Sequence, residues 1–175
     1  LLGTLHAQDN VPVQADFQQD KLTGKWYTIG FASNSNWFKE KRHLMKMCTT
    51  IISTTADGNL EVTSTYPKYS MGRGWTVKGC WVWALVHPLT ALMSLCCWGS
   101  KHDIRVVETN YEEYALVATQ IVKGTDSSTM VLLYSRTKEL RPERLEMFTQ
   151  FSREQGLTDD EILILPQTGE AEGAG

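Results

Sequence analysis

One thiol and three hydroxyls have the types and spacing for nucleophilic chemistry. Cys48 and Thr50 alternate along the uncharged run CTTIISTT, which is too rich in β-branched residues to favour a helix. Thr28 follows Trp26 at the same spacing in GKWYTIGFA, and Ser64 falls between Val62 and Tyr66 in LEVTSTY. Side chains two apart on a strand share a face. If these runs neighbour one another in a closed sheet with Trp26 turned inward, Thr28, Cys48, Thr50 and Ser64 converge on one cavity. Hydroxyls are poor filler for an apolar core, because each costs free energy unless hydrogen-bonded. Around a thiol they suit a nucleophile that works as a thiolate, with Lys46 or Arg42 adding positive charge. The competing reading of Cys48 is a small buried core residue.

Such a cluster needs strands, and most of the chain reads that way. Runs of strand character cover 24–32, 45–55, 60–66, 103–109, 114–122 and 129–137, separated by short polar connectors. In the first run Trp26, Thr28 and Gly30 fall on one face and Tyr27, Ile29 and Phe31 on the other. Residues 33–42 form a polar turn with helical content, and Ala56-Asp57-Gly58-Asn59 is a hairpin signal. Pro142 opens a helix through Gln155, with Leu145, Phe148 and Phe151 on its apolar stripe and Gly156 as its stop. Thr158 and Glu161 make a capping-box pattern before the apolar run 162–165. Many strands followed by one helix predict an all-β fold, an eight-stranded up-and-down antiparallel barrel with a C-terminal α-helix packed outside.

Composition narrows the function. The chain has 175 residues, a single-domain length, and its net charge of −3 argues against nucleic-acid partners. Its four cysteines form no CxxC pair, so no metal site is expected. Residues 79–100 carry no Asp, Glu, Lys or Arg, yet His87-Pro88 and the lack of a basic anchor argue against a membrane span. Residues 1–12 read as a signal-peptide remnant and N-terminal arm, 13–168 as the folded domain, and 169–175 as a disordered tail. The expected product is a monomer secreted through the endoplasmic reticulum and Golgi.

Three short patterns occur in order: Gly24-Lys25-Trp26, Thr109-Asn110-Tyr111 and Leu133-Tyr134-Ser135-Arg136. Together they resemble the three motifs of the lipocalin family, in which the Arg lies over the first-strand Trp. Longer segments, among them DFQQDKLTGKWYTIGFASNSNWFKEK, VVETNYEEYALV and LTDDEILILPQT, resemble the prostaglandin D synthase branch of that family. The resemblance implies that Cys48, following Met47, is the nucleophile and that Thr28, Thr50 and Ser64 are the hydroxyls around it. It implies isomerisation of prostaglandin H2 to prostaglandin D2 without metal or nucleotide, a thiol such as glutathione accompanying activity. It also implies a cavity for small lipophilic ligands such as retinoids, bile pigments or thyroid hormones, so a non-catalytic carrier is the alternative. Candidate lining residues are Trp37, Met47, Tyr66, Trp98, Leu116, Met130, Leu132 and Tyr134, with Gly24, Trp26 and Arg136 as structural residues. Trp37 and Phe38 could form a lid, and Lys39, Lys41 and Arg42 at the mouth could meet a ligand carboxylate.

The resemblance breaks off between Tyr69 and Trp98, so residues 70–97 are atypical. They show no clean period of two, which fits either a segment foreign to the family or a very apolar cavity wall. The family's structural cysteine falls near Gly72 and its partner in the tail GEAEGAG, so both halves of that disulfide are missing.

Overall fold

The computed structural model describes residues 11–56, 58, 60–65, 81–86, 92–97 and 100–166; at residues 65, 81–86, 92–97, 100 and 101 only the backbone is described. There are nine strands, β1 (Gly24–Ser33), β2 (Cys48–Thr54), β3 (Leu60–Thr65), β4 (Trp81–Val86), β5 (Leu92–Cys97), β6 (Ser100–Thr109), β7 (Tyr114–Lys123), β8 (Asp126–Ser135) and β9 (Ile162–Ile164), of which the first eight alternate direction and β9 runs antiparallel to β1. Strands β2 to β8 pair in sequence order, and β1 joins β8 to β2, so eight strands close an up-and-down barrel. Closure leaves none of the eight with an unpaired edge along its whole length.

The ninth strand was not foreseen. β2 pairs with β1 only as far as Thr28, and β9 takes the same edge over Gly30–Ala32. The apolar run after the capping box thus continues the ladder where β2 leaves it. The atypical stretch is also resolved in part. β4 pairs with β3 and β5, and β5 with β6, so both strands form despite the missing period of two. A strand needs backbone partners before it needs alternation, and neighbours on both sides supply them. Residues 1–10 of the expected N-terminal arm, the expected tail 169–175, Gly72 and Cys80 lie outside the described residues. Cys96 and Cys97 stand on β5 in register with Lys101 and Ser100, and Cys48 is a free thiol.

Three strand starts shift, that of β6 from residue 103 to Ser100 among them. β2 begins at Cys48 rather than residue 45, because Arg42–Leu44 forms a 3-10 turn before it. β8 begins at Asp126 rather than residue 129, since Lys123 pairs directly with Asp126 around Gly124, whose φ of 62° suits glycine.

A bulge in β1 decides which side chains face inward. The register with β8 slips between Thr28 and Gly30, inserting Ile29 as an extra residue. Trp26 and Thr28 stay on the cavity side, but beyond the bulge it is Phe31 and not Gly30 that lines the cavity. This corrects the simple alternation, which no bulge signal in the sequence interrupts. Gly30 instead faces helix α2 (Pro142–Glu154), against the ring of Phe148.

The core therefore has two layers. Leu22, Trp26, Ile52, Leu60, Val106 and Ala115 fill the closed half of the barrel. Outside, Phe148 and Phe151 of α2 pack on Ala32, Leu116, Ala118, Val131 and Leu133. Pro142 opens α2, Gly156 (φ 86°) ends it, and the Thr158–Glu161 capping box starts the turn that feeds β9.

Candidate ligand cavity and thiol site

The closed end of the barrel is sealed by Trp26 and Arg136. Trp26 is fully buried, and its indole N–H donates to the Leu22 carbonyl at 2.8 Å. The Arg136 guanidinium lies over the ring, its carbon 3.7 Å from the centroid, and donates to the carbonyls of Tyr111, Lys25, Lys21 and Thr23. A planar guanidinium does both jobs at once, stacking by its face and donating from its rim. Gly24 has a φ of 109°, and a β-carbon there would come within 2.9 Å of an Arg136 nitrogen. The conformation and the close approach together explain glycine at this position.

Above this plug the barrel holds a cavity of about 270 Å³. Most of its wall is apolar, including Ile52, Val62, Ile104, Val117 and Leu132. A polar stretch of wall lies where β1, β2 and β3 meet. Thr28 is the direct cross-strand partner of Cys48, and Thr50 of Ser64. Side chains opposed in this way lie within bonding reach. The Cys48 thiol donates to the Thr28 hydroxyl at 3.1 Å, and the hydroxyls of Thr50 and Ser64 are 2.9 Å apart. Thr28, Cys48 and Ser64 line the cavity, while Thr50 is fully buried behind them.

Burial pushes the Cys48 thiol above its ordinary value of 9.0, and hydrogen bonds from the Thr28 and Thr50 side chains and its own backbone pull it back down. These downward causes include no cation, contrary to the expected help from Lys46 or Arg42. Arg42 is instead turned to the carbonyl of Asp160.

Of the predicted lining residues, Trp37, Met130, Leu132 and Tyr134 border the cavity. Met47 does not. It packs with Ile29 and Leu165 on the outside of the barrel, as the neighbour of an inward Cys48 must. Leu116 also faces out, into the layer under α2, and Ala115 and Val117 line the cavity in its place. Residues 114–119 of β7 are buried on both faces, so hydrophobicity alone gave no parity there. Tyr66 and Trp98 lie outside the described residues.

Phe38 is fully buried, stacked on Phe31 at 5.1 Å, while Trp37 stays exposed at the rim; the pair is half anchor and half brim. Lys39 is not available to a ligand as expected, since it pairs with Glu161 at 2.9 Å. Among the cavity residues that the sequence reading did not single out are Phe31, His102 and Thr119. The bulge hid Phe31, and His102 sits in the part of β6 before residue 103, where the sequence showed no strand. Thr119 follows from the corrected parity of β7. Among the described residues no cluster of His, Cys, Asp or Glu could hold a metal, and no helix is long and apolar enough to cross a membrane.

A barrel plugged by a Trp–Arg stack and holding an apolar cavity is an architecture for enclosing small lipophilic molecules. The chain belongs to the lipocalin / cytosolic fatty-acid binding protein family, whose model matches residues 23–169. It is similar to a lipocalin of Rhinella marina, 51% identical over 95% of this chain and 90% of that one. It is also similar to the prostaglandin-H2 D-isomerase of Canis lupus familiaris, 42% identical over 96% of this chain and 88% of that one. Among solved structures it resembles the siderocalin Ex-FABP, described as functioning through dual ligand specificities, with a TM-score of 0.70 at 25% identity, over 86% of this chain and 93% of that one.

Proposed function

We propose that the chain isomerises prostaglandin H2 to prostaglandin D2 at Cys48 and holds other small lipophilic ligands in the same cavity. The carrying observation is a buried thiol on the wall of an apolar cavity, bonded to Thr28 with the Thr50–Ser64 pair beside it. Relatives about 40% identical are named prostaglandin-H2 D-isomerase, which supports the same reading.

The chemistry runs through the thiolate. Its sulfur attacks the endoperoxide oxygen on C11, forming an S–O bond while the O–O bond breaks and its electron pair moves to the oxygen on C9. That alkoxide takes up a proton and becomes the 9-hydroxyl. A base then removes the C11 proton, the C11 ketone forms, and the S–O bond breaks to return the thiolate. No net oxidant is consumed. Burial opposes the thiolate, so the hydroxyls of Thr28 and Thr50 must turn to donate to sulfur when the proton leaves. A small thiol such as glutathione keeps Cys48 reduced between turnovers. Secretion is part of the same proposal.

Incubation of the purified chain with prostaglandin H2 and glutathione, beside Cys48→Ala, tests it. Product above spontaneous breakdown should vanish in the variant while ligand quenching of Trp fluorescence persists. Equal product from both would leave a carrier of lipophilic ligands, the reading favoured by the apolar remainder of the wall.

A further inference from the structure

Among the described residues, the cavity has a second group of polar side chains besides the one around Cys48. The second is on β6 and β7. His102 lines the cavity on the same strand face as Ile104 and Val106, and Thr119 lines it from β7. Thr119 is the register partner of Ile104, which makes it the diagonal neighbour of His102. In the closed ladder β6 is four strands from β2 by either route, so His102 and Cys48 stand on opposing walls. His102 is two residues from the start of β6, in the half of the barrel away from the Trp26 plug.

We propose that His102 is the anchor for the acid group of an anionic lipid, so that this cavity selects long-chain monocarboxylates over neutral lipids of the same length. The proposal rests on the reading of the cavity as the ligand site and names the class of ligand it takes. An acid held at His102 would lay its chain across the cavity, with its middle against the wall that carries Cys48. His102 is thus a positioning residue for the reaction proposed above.

Three of the other cations that could meet an acid group make contacts elsewhere. Lys39 is paired with Glu161, Arg42 is turned to the Asp160 carbonyl, and Arg136 lies on the far side of Trp26 with four carbonyls. Among the described residues that line the cavity, the titratable ones are His102, Cys48 and Tyr134. His102 alone of these gains positive charge. From β7 its register partner is Ile121, with exposed Lys123 two residues further; from β5 it is Leu95. Asp103 and Arg105 alternate to the other face of β6.

Burial holds the imidazole below its ordinary value of 6.5, so the empty site is neutral near pH 7. An anion seated against it favours the protonated form and raises that value. Binding of an anion therefore takes up a proton, and its affinity must climb as pH falls through and below that range.

The test uses two probes of equal chain length, dodecanesulfonate, which stays anionic throughout, and dodecanol, read by quenching of Trp fluorescence from about pH 8 to about pH 5. In the wild type the sulfonate should tighten as pH falls and the alcohol should not. His102→Gln should weaken the sulfonate about tenfold at the acid end, the scale of one hydrogen bond to a charge, and flatten its profile. Dodecanol should bind the variant as it binds the wild type. In the wild type the imidazole pKa, followed by NMR, should rise when the sulfonate is added, a readout that needs no variant. Sulfonate binding unchanged in His102→Gln, equal losses for both probes, or an imidazole pKa that does not move would each overturn the proposal. Neither probe reacts with Cys48, so these results stand apart from the isomerase assay. A wild type that binds neither probe would overturn the ligand-cavity reading itself.

Discussion

Gly30 lies directly beneath the ring of Phe148, so that a β-carbon at Gly30 would sit 2.7 Å from the ring edge. The contact joins the barrel to its helix, and it exists because the bulge at Ile29 turns Gly30 outward. Gly30→Ala should cost about 1–3 kcal/mol through overpacking and lower the Tm by roughly 3–10 °C. Combining it with Phe148→Leu should recover part of that loss, which a double-mutant cycle by thermal melting would show.

Thr28 tunes the thiol. Because burial is the largest influence on Cys48 and raises its pKa, alkylation by iodoacetamide should keep accelerating as pH rises past the ordinary value of 9.0. Thr28→Val removes the hydroxyl that offsets burial, so alkylation near pH 8 should slow several-fold. An unchanged rate would mean that the hydroxyl does not support the thiolate.

Arg136 seals the closed end through four carbonyls and a ring face. Arg136→Met keeps the chain length but leaves those carbonyls to water, at a cost of about 2–4 kcal/mol. Urea unfolding measures it, and the Trp26 emission should shift to the red. Arg136→Lys should restore little, since an ammonium cannot reach four carbonyls while stacking.

Glu161 ties two ends of the structure, accepting from the Thr158 backbone and pairing with Lys39 of α1 (Asn36–Lys41). These contacts hold its carboxyl below the ordinary 4.5. Its contribution is complete above that value and is lost as pH falls through the depressed one. Glu161→Gln should lower the Tm at neutral pH, and the gap to wild type should close in strong acid.

How much of this was legible follows residue by residue. Cys48, Thr28, Thr50 and Ser64 were readable because a period of two holds along β2 and β3 and along β1 as far as the bulge. Trp26 and Arg136 were readable because their motifs are local. Phe31 was not, since one inserted residue at Ile29 reverses every face beyond it. Leu116 misled because β7 is covered on both sides, by the cavity and by α2. The partners of Lys39 and Arg42 were invisible because Glu161 and Asp160 are distant in sequence and met only when β9 joined β1.

The division of β1 between β2 and β9 on one edge, with β8 on the other, bears on synthesis. Of the nine strands described, β1 is the first to leave the ribosome and the last to be satisfied. Its pairing with β2 is available at once, but its other edge waits for β8, and the stretch from Gly30 to Ala32 waits for β9 as well. Through most of translation the nascent chain therefore carries an open strand edge beside Trp26 and Phe31, open to wrong pairing with another chain. A truncation after β7 should collect in aggregates, and extending the chain through β9 should release it.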